Sequence, residues 1–373
     1  MYKKVLEKGL LAFLILISIL FPSCRSQEGK NTGENNEIRH SQLLSLYEKD
    51  GYEEVKISNP KGDLVAHYVL IDKDKEQPKN LPEGAEIIKV PLQSAILDSE
   101  VYAGVMQEIG SDKSIKGFFD VNFVTSPELK KRIKEGVIND MGSTSSPNLE
   151  KIISLTPDAI FISYFDGMQT QAVDKIGVPV IKMYDLQEST PLGRAEWIRF
   201  VGRLSGKGEE ADSIFEKVAE KYHEATAGKG SETSRKKVLT ETMYEGVWNV
   251  AGGNSYQANL IKDAGGHYFK EDDGGRVTLM LTPEQVLKDG ADSDIWIIRY
   301  YGNEDELKKI LASDPVYKEI KAYKTGEIYF SDTSESGLFR EFPFHPDLLL
   351  KDYKAIIKGE DESGMRYFKK LDL

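Results

Sequence analysis

Two stretches of the sequence repeat the same order of structural signals. Residues 147–167 read PNLEKIISLTPDAIFISYFDG, and residues 281–302 read LTPEQVLKDGADSDIWIIRYYG. Each stretch has a helix-start signal with a glutamate in the first turn, then a short helix, an apolar run typical of a buried strand, and paired aromatic residues. A helix–strand unit repeated in this way predicts two α/β lobes of related design.

Short apolar runs alternate with helical stretches on both sides of a region that lacks strand signals. The run at residues 159–162 is apolar at every position, as expected for a strand covered by helices on both faces. In residues 191–227 the apolar positions follow helical spacing, with an interruption at 206–208, which fits one kinked helix or two helices end to end. We predict an α/β fold of two Rossmann-like lobes joined by one long α-helix, with a ligand cleft between the lobes.

The N-terminus has the pattern of an export signal. Lysines precede an apolar run at residues 10–21 that is too short to span a bilayer, and Ser23 and Cys24 follow it. The alternative is an ordinary cleaved signal peptide in which Cys24 has no role. The predicted organisation is a lipoprotein signal peptide with the lipidation site (1–24), a flexible tether (25–40), an N-terminal lobe (41–188), a linking helix (189–228) and a C-terminal lobe (229–373).

Composition removes several classes of function. The net charge of −12 disfavours non-specific binding to nucleic acid or to an anionic membrane surface. Cys24 is the only cysteine, which excludes internal disulfides and multi-cysteine metal sites. The five histidines form no closely spaced pair, so we predict no metal site made of three histidines.

The chain resembles the substrate-binding lipoproteins of iron-compound and cobalamin ABC importers. The residues that carry the resemblance are 148–158, 191–207, 263–266, 282–286 and 345–352. The resemblance implies a non-enzymatic clamp, lipid-anchored through Cys24 on the periplasmic side of the cell envelope, that delivers its ligand to a permease with its ATPase. It also implies that Glu150 and Glu284 pair with arginines of that permease. The alternative for these glutamates is ordinary helix-start chemistry, because acidic residues in a first turn favour the helix dipole.

Ligands of α/β sheets bind beyond the carboxyl ends of the parallel strands. The strand ends offer, among other residues, Phe119, Asp120, Asp166, Tyr301, Phe339 and Phe342. From the strand ends we select as ligand-binding candidates Tyr164, Phe165, Tyr244, Trp248, Arg299, Tyr300 and Arg340. Aromatic rings with arginines suit a bulky ligand that carries negative charge, such as a ferric chelate of the siderophore type, a haem or a corrinoid.

No intrinsic cofactor is predicted, and the sequence leaves the choice among these three ligands open. For a haem, the iron ligand could be Tyr164, Tyr300 or His267. A different class of function is an exported α/β-hydrolase-like enzyme, but the chain has neither a nucleophile elbow nor a dinucleotide-binding signature. A third alternative is a surface lipoprotein that captures its ligand without an importer.

Overall fold

The computed structural model describes residues 35–168, 170–227 and 235–373. The signal peptide, Cys24 and most of the predicted tether lie outside the described residues. Residues 36–373 form one compact unit. Within the described ranges, every helix is too short or too polar to cross a bilayer.

The N-terminal half alternates strands with helices. Its strands are β1 (Leu44–Lys49), β2 (Tyr52–Ser58), β3 (Leu64–Asp72), β4 (Glu86–Val90), β5 (Ala95–Leu97), β6 (Ile115–Phe118), β7 (Asn139–Asp140), β8 (Gly142–Ser143), β9 (Ser146–Pro147), β10 (Ala159–Ser163) and β11 (Val180–Met183). Its helices are α1 (Glu100–Glu108), α2 (Pro127–Lys134), α3 (Leu149–Leu155) and α4 (Gln171–Asp174). Strand β10 lies inside a parallel sheet of order β11-β10-β5-β6-β7.

Helices and the neighbouring sheet cover β10 on both faces, as its apolar run predicts. Ala159 and Phe161 pack into one hydrophobic core, and Ile160 and Ile162 pack into another. Because the strands of this sheet are parallel, the ends of β5, β6 and β10 meet at one edge. That edge is where an α/β sheet binds its ligand.

A second sheet of order β1-β2-β3-β4 precedes the parallel one. Leu44 pairs with Ile57 and Leu46 pairs with Val55 across the β1–β2 hairpin, and all four side chains are buried. The hairpin turns at Gly51, whose φ of 85° is a conformation that favours glycine.

The linking segment is helical but is not one long helix. It consists of α5 (Pro191–Ala195), α6 (Ile198–Leu204) and α7 (Gly208–Thr226). The chain turns between α6 and α7 at Gly206, where φ is 65°, and α7 packs back against α6. Gly202 lies so close to Ala211 that a Cβ at position 202 would collide with it, so the two helices meet at a glycine.

The C-terminal half builds the second α/β lobe. Its strands are β12 (Lys237–Thr240), β13 (Met243–Tyr244), β14 (Val247–Ala251), β15 (His267–Tyr268), β16 (Thr278–Leu281), β17 (Ile295–Tyr300), β18 (Ile328–Asp332) and β19 (Lys369–Lys370). Its helices are α8 (Tyr256–Asp263), α9 (Pro283–Gly290), α10 (Glu304–Ser313), α11 (Lys321–Thr325), α12 (Leu338–Glu341) and α13 (Pro346–Lys358). The main sheet has the order β15-β12-β17-β18-β19, and β13-β14-β16 form a small antiparallel sheet.

The chain from β12 to β13 passes from one of these sheets to the other. Glu241 adopts a left-handed conformation with a φ of 62°, and this bend directs the chain from β12 into β13. Tyr244 pairs with Val247, so β13 and β14 form a hairpin that turns at residues 245–246.

The predicted tether ends earlier than the sequence suggests. The backbone N–H groups of Arg39, His40 and Ser41 donate hydrogen bonds to the carboxylate of Glu196 at 2.9, 2.7 and 2.8 Å. Asn36 is also fixed, because its side-chain oxygen accepts from the backbone N–H of Leu46 at 3.0 Å. Residues 36–40 therefore belong to the folded unit and attach to the linking helices.

The two lobes touch each other where α1 packs against α12. Gly104 in α1 lies against Arg340 in α12, and a Cβ at position 104 would come within 3.1 Å of the Arg340 Cγ atom. A second contact joins the linking segment to the C-terminal lobe, since the Asn259 side chain donates to the carbonyl of Ser189 at 2.8 Å. These contacts close one side of the space between the lobes.

Candidate functional site

A cavity of about 320 Å³ lies between the two lobes. Small-molecule sites generally have volumes of about 300–1,000 Å³, so this space lies at the lower end of that range. The N-terminal lobe contributes residues that follow β5 and β6, and the C-terminal lobe contributes residues around α12. The side chains that define its chemistry are Asp98, Glu100, Phe119, Asp120, Phe123, Tyr301, Phe339 and Arg340.

Exposed aromatic side chains from both lobes form the walls. Phe123 of the N-terminal lobe is 73% exposed, and Tyr301 and Phe339 of the C-terminal lobe are 65% and 46% exposed. Rings left open to solvent on facing walls provide rigid apolar surface for a ligand.

Carboxylates outnumber cations in the cavity lining. The Glu100 carboxylate accepts hydrogen bonds from Thr125 and Ser126, and the Asp120 carboxylate accepts two from Thr144. Arg340 is the one cation among the described lining residues, and it lies 3.5 Å from Glu341.

The surroundings of Asp98 shift its pKa. Burial raises its pKa to about 7, although the backbone N–H and the hydroxyl of Ser163 donate to the carboxylate and favour its charged form. Asp98 follows directly after β5 and lines the cavity. Its charge therefore changes near neutral pH.

A buried polar network lies beside the cavity. The Tyr102 hydroxyl donates to one oxygen of Asp185 at 2.9 Å, and Nε of Arg194 donates to the other at 3.0 Å. The Arg194 guanidinium also packs over the rings of Tyr256 and Phe342, at 5.5 and 5.3 Å. The network connects α1, the linking segment and the C-terminal lobe. Within it, Asp185 balances the positive charge of Arg194.

The structure brings only some of the predicted ligand-binding residues to the cavity. Arg340 lines it. Arg299 lies beside it, 5.8 Å from the ring of Phe339, but its guanidinium binds Glu241 and donates to Gln257 at 2.7 Å. Tyr300 is partly buried and packs against the main core.

The other predicted aromatics lie elsewhere. Tyr164 and Phe165 follow β10 at the same sheet edge, where the Tyr164 ring lies 5.9 Å from that of Tyr184 and Phe165 is 50% exposed. Tyr244 is 71% exposed on the small antiparallel sheet. None of these three side chains is among the cavity-lining residues described above. His267 lies at the start of β15, beside Glu271 at 2.9 Å, and not at a strand end.

Trp248 is a core residue, contrary to the sequence prediction. Its side chain is 0% exposed, its indole N–H donates to the carbonyl of Thr240 at 3.0 Å, and its ring packs against Trp296 and Tyr317. The alternation of β14 explains the error, because Trp248 and Val250 point into the core while Asn249 points outward. We therefore assign Trp248 a role in the stability of the fold and not in ligand binding.

Asp98 and Phe123 line the cavity but were not predicted from the sequence. Asp98 follows a strand of only three residues, which gave no periodic signal, and Phe123 lies in a single turn of 3-10 helix. The apolar triplet at 95–97, followed by an acid and the helix-capping Ser99, was the available signal for Asp98.

Glu150 and Glu284 occupy equivalent positions in the two lobes. Glu150 is the second residue of α3, whose N-cap Asn148 accepts from Lys151, and Glu284 is the second residue of α9, which has a capping box between Thr282 and Gln285. Both glutamates are exposed. A hydrogen bond from the backbone of Glu284 itself and a second one from the Thr282 side chain lower the pKa of Glu284, so its carboxylate is charged at neutral pH.

Two α/β lobes with a cleft at the strand ends define a class of ligand-binding proteins. Residues 102–334 match the periplasmic binding protein family, which is more than half of the chain. The chain belongs to this family. The resemblance inferred from the sequence is therefore confirmed at the level of the family, and the two-lobed α/β fold is confirmed with it.

Known relatives agree with this assignment. An uncharacterized lipoprotein of Methanocaldococcus jannaschii is 26% identical over 98% of this chain and 95% of its own length. The triscatecholate siderophore binding protein FeuA of Bacillus subtilis, solved with ferri-bacillibactin, superposes with a TM-score of 0.59 at 17% identity, covering 77% of this chain and 99% of FeuA. A protein of an ABC-type Fe3+-hydroxamate transport system from Saccharomonospora viridis gives a TM-score of 0.57 at 18% identity, covering 72% and 94%. At these identities the solved structures establish the fold.

Proposed function

We propose that the chain is the solute-binding protein of an ABC importer and that it captures a ferric chelate of the siderophore type. The observation that carries this proposal is the cavity between the lobes, with Phe123 on one wall and Tyr301, Phe339 and Arg340 on the other. Aromatic rings cover the organic part of a chelate, and a guanidinium can donate hydrogen bonds to its oxygens. Relatives named for ferric hydroxamate and ferric catecholate binding support the choice of an iron complex.

Capture requires no catalysis under this proposal. A ligand that contacts both walls binds the closed arrangement of the lobes better than the open one, so it shifts the population toward the closed state. The contact of Gly104 with Arg340 limits how far α1 and α12 can approach each other. Release then occurs when a partner favours the open arrangement.

We assign the partner contact to Glu150 and Glu284. Glu150 and Glu284 place an exposed carboxylate at the start of the equivalent helix in each lobe, so the pair reports the spacing of the lobes and hence the loaded state. Exposed charge pairs contribute little affinity each and mainly set orientation and association rate, which suits a delivery protein that must dissociate. The partner is the importer's permease with its ATPase.

Lipid on Cys24 would hold the protein at the outer side of the cell envelope, with residues up to 35 as the connection. The relative from M. jannaschii is named a lipoprotein, which supports this part of the proposal. An acyl anchor gives membrane attachment without a transmembrane helix.

A thermal-shift screen of the mature chain tests the ligand class. The chain, carrying Cys24→Ser, is mixed with ferrichrome, ferric enterobactin, haemin or cyanocobalamin, each in excess. A ligand that binds only the folded state raises the melting temperature. We expect a rise with a ferric complex. A rise with haemin or cyanocobalamin alone would replace the iron chelate by that ligand, and no rise with any of the four would overturn the proposal.

A further inference from the structure

The charges around the cavity point to the charge of the ligand. Three lining side chains are carboxylic acids, namely Asp98, Glu100 and Asp120, and one described lining residue, Arg340, is a cation. Glu100 and Asp120 are each held by hydrogen bonds from neighbouring hydroxyl and backbone N–H groups, which fix the carboxylates in place. A site with this lining repels an anion more than it attracts one.

The arginines behind the lining do not change this balance, because each has a carboxylate partner. Arg299 pairs with Glu241, and Arg194 pairs with Asp185 at 3.0 Å. Arg340 itself lies 3.5 Å from Glu341. A trianionic ligand would need guanidinium groups released from these pairs, and each release would leave a carboxylate without its counter-charge.

We infer that the cleft selects a ferric complex with no net negative charge, and this inference rests on the proposed function. A ferric ion held by three monoanionic hydroxamates is neutral, whereas one held by three dianionic catecholates is a trianion. A neutral complex can pack its organic ligand against Phe123, Tyr301 and Phe339 without like-charge repulsion from the lining carboxylates. The ligand class is therefore the neutral trihydroxamate type.

The raised pKa of Asp98 adds a detail to this selection. Burial raises its pKa to about 7, so the group is partly protonated at neutral pH and fully charged above it. Discrimination against an anionic complex should therefore increase as the pH rises above neutral. The groups around Asp98 are Ser163, which donates two hydrogen bonds to it, Tyr102 of α1, and Asp185, whose charge raises its pKa further.

The test compares two ferric complexes on the unmodified mature chain by calorimetric titration. Ferrichrome is the neutral probe, and ferric enterobactin is the trianionic probe. We expect ferrichrome to bind at least about 100-fold more tightly, since unfavourable like-charge contacts in a partly buried site cost several factors of ten. Equal or tighter binding of ferric enterobactin would overturn the inference and leave the proposed function standing. Binding of neither complex would overturn the proposed function itself.

A charge variant tests the cause. Asp98→Asn with Asp120→Asn keeps the shapes of both side chains, and it should tighten ferric enterobactin binding about tenfold relative to ferrichrome binding, measured as the ratio of the two affinities. The matched control, Asp50→Asn with Glu220→Gln, also removes two negative charges, but from exposed positions that do not line the cavity. If the control tightens enterobactin binding equally, the overall charge of the protein and not the cavity selects the ligand, and the inference fails. Should the double variant not fold, the comparison on the unmodified chain still decides.

Discussion

Nε2 of His345 lies 2.8 Å from Oε2 of Glu108, and this contact joins the two lobes. Glu108 is the last residue of α1, and His345 precedes α13. Burial lowers the pKa of His345, but Glu108, Asp347 and Glu341 raise it, and the net pKa lies above the ordinary value of 6.5. The ion pair thus forms on one side of the cavity, where α1 meets the C-terminal lobe.

We predict that this pair stabilises the protein in acid and less so in base. A histidine whose pKa is raised by folding contributes stability that is complete below pH 6.5 and is lost as the pH rises through the raised value. Glu108→Gln should therefore lower the melting temperature most below pH 6.5. The measurement is the difference in melting temperature between the unmodified chain and this variant across pH. Asp98 titrates in both proteins, so its effect cancels in this difference. A difference that does not depend on pH would show that the histidine carries no charge in this contact.

Gly104 should control how closely the lobes approach. A Cβ at this position would lie 3.1 Å from Cγ and 3.3 Å from the carbonyl oxygen of Arg340. Gly104→Val should force α1 away from α12, weaken ligand binding and cost about 1–3 kcal/mol of stability by overpacking. Small-angle scattering and ligand titration would measure the two effects. Gly274→Val, at a position with open space around it, is the control and should change neither.

Trp248 should matter for stability and not for binding. Trp248→Phe removes the hydrogen bond to the carbonyl of Thr240 and part of a buried ring. We expect a loss of about 1–3 kcal/mol in the free energy of unfolding, because a buried acceptor is left unpaired. Denaturant unfolding measures this loss, and ligand affinity should stay the same. A large loss of affinity with unchanged stability would show instead that Trp248 takes part in ligand binding.

The docking proposal predicts a separation between binding and transport. Glu150→Ala with Glu284→Ala should leave ligand affinity unchanged and abolish uptake through the importer, because both residues are exposed and lie outside the cavity lining. Glu128→Ala with Glu209→Ala, which removes two other exposed first-turn acids, serves as the control. Normal uptake by the Glu150 and Glu284 variant would rule out their role at the permease.

The sequence could predict the α/β lobes because their signals are local. The caps at Asn148 and Thr282 start equivalent helices, and the apolar runs after them become β10 and β17. The β1–β2 hairpin was missed although Asp50-Gly51 between alternating apolar residues is a hairpin signal.

The cavity could not be predicted in the same way, because it depends on how distant elements meet. Phe123 and Tyr301 are far apart in the sequence, and only the packing of α1 against α12 brings their surroundings together. The face on which Trp248 lies depends on the pairing of β14 with β16, which was not predicted. The strand-end rule therefore pointed to the edge of the sheet where the cavity lies, but several of the side chains selected with it do not line that cavity.

Ligand binding in the cleft between the lobes can be tested by truncating one aromatic ring on each wall of the cavity. Ferrichrome is titrated into the unmodified chain and into Phe123→Ala and Tyr301→Ala, one variant for each lobe, with the exposed Tyr244→Ala as the matched control outside the cavity. We expect one complex per chain, an affinity about tenfold lower in each cavity variant, and no change in the control, because each ring contributes stacking and buried apolar area. Unchanged affinity in both cavity variants, or an equal loss in Tyr244→Ala, would contradict binding in the cleft.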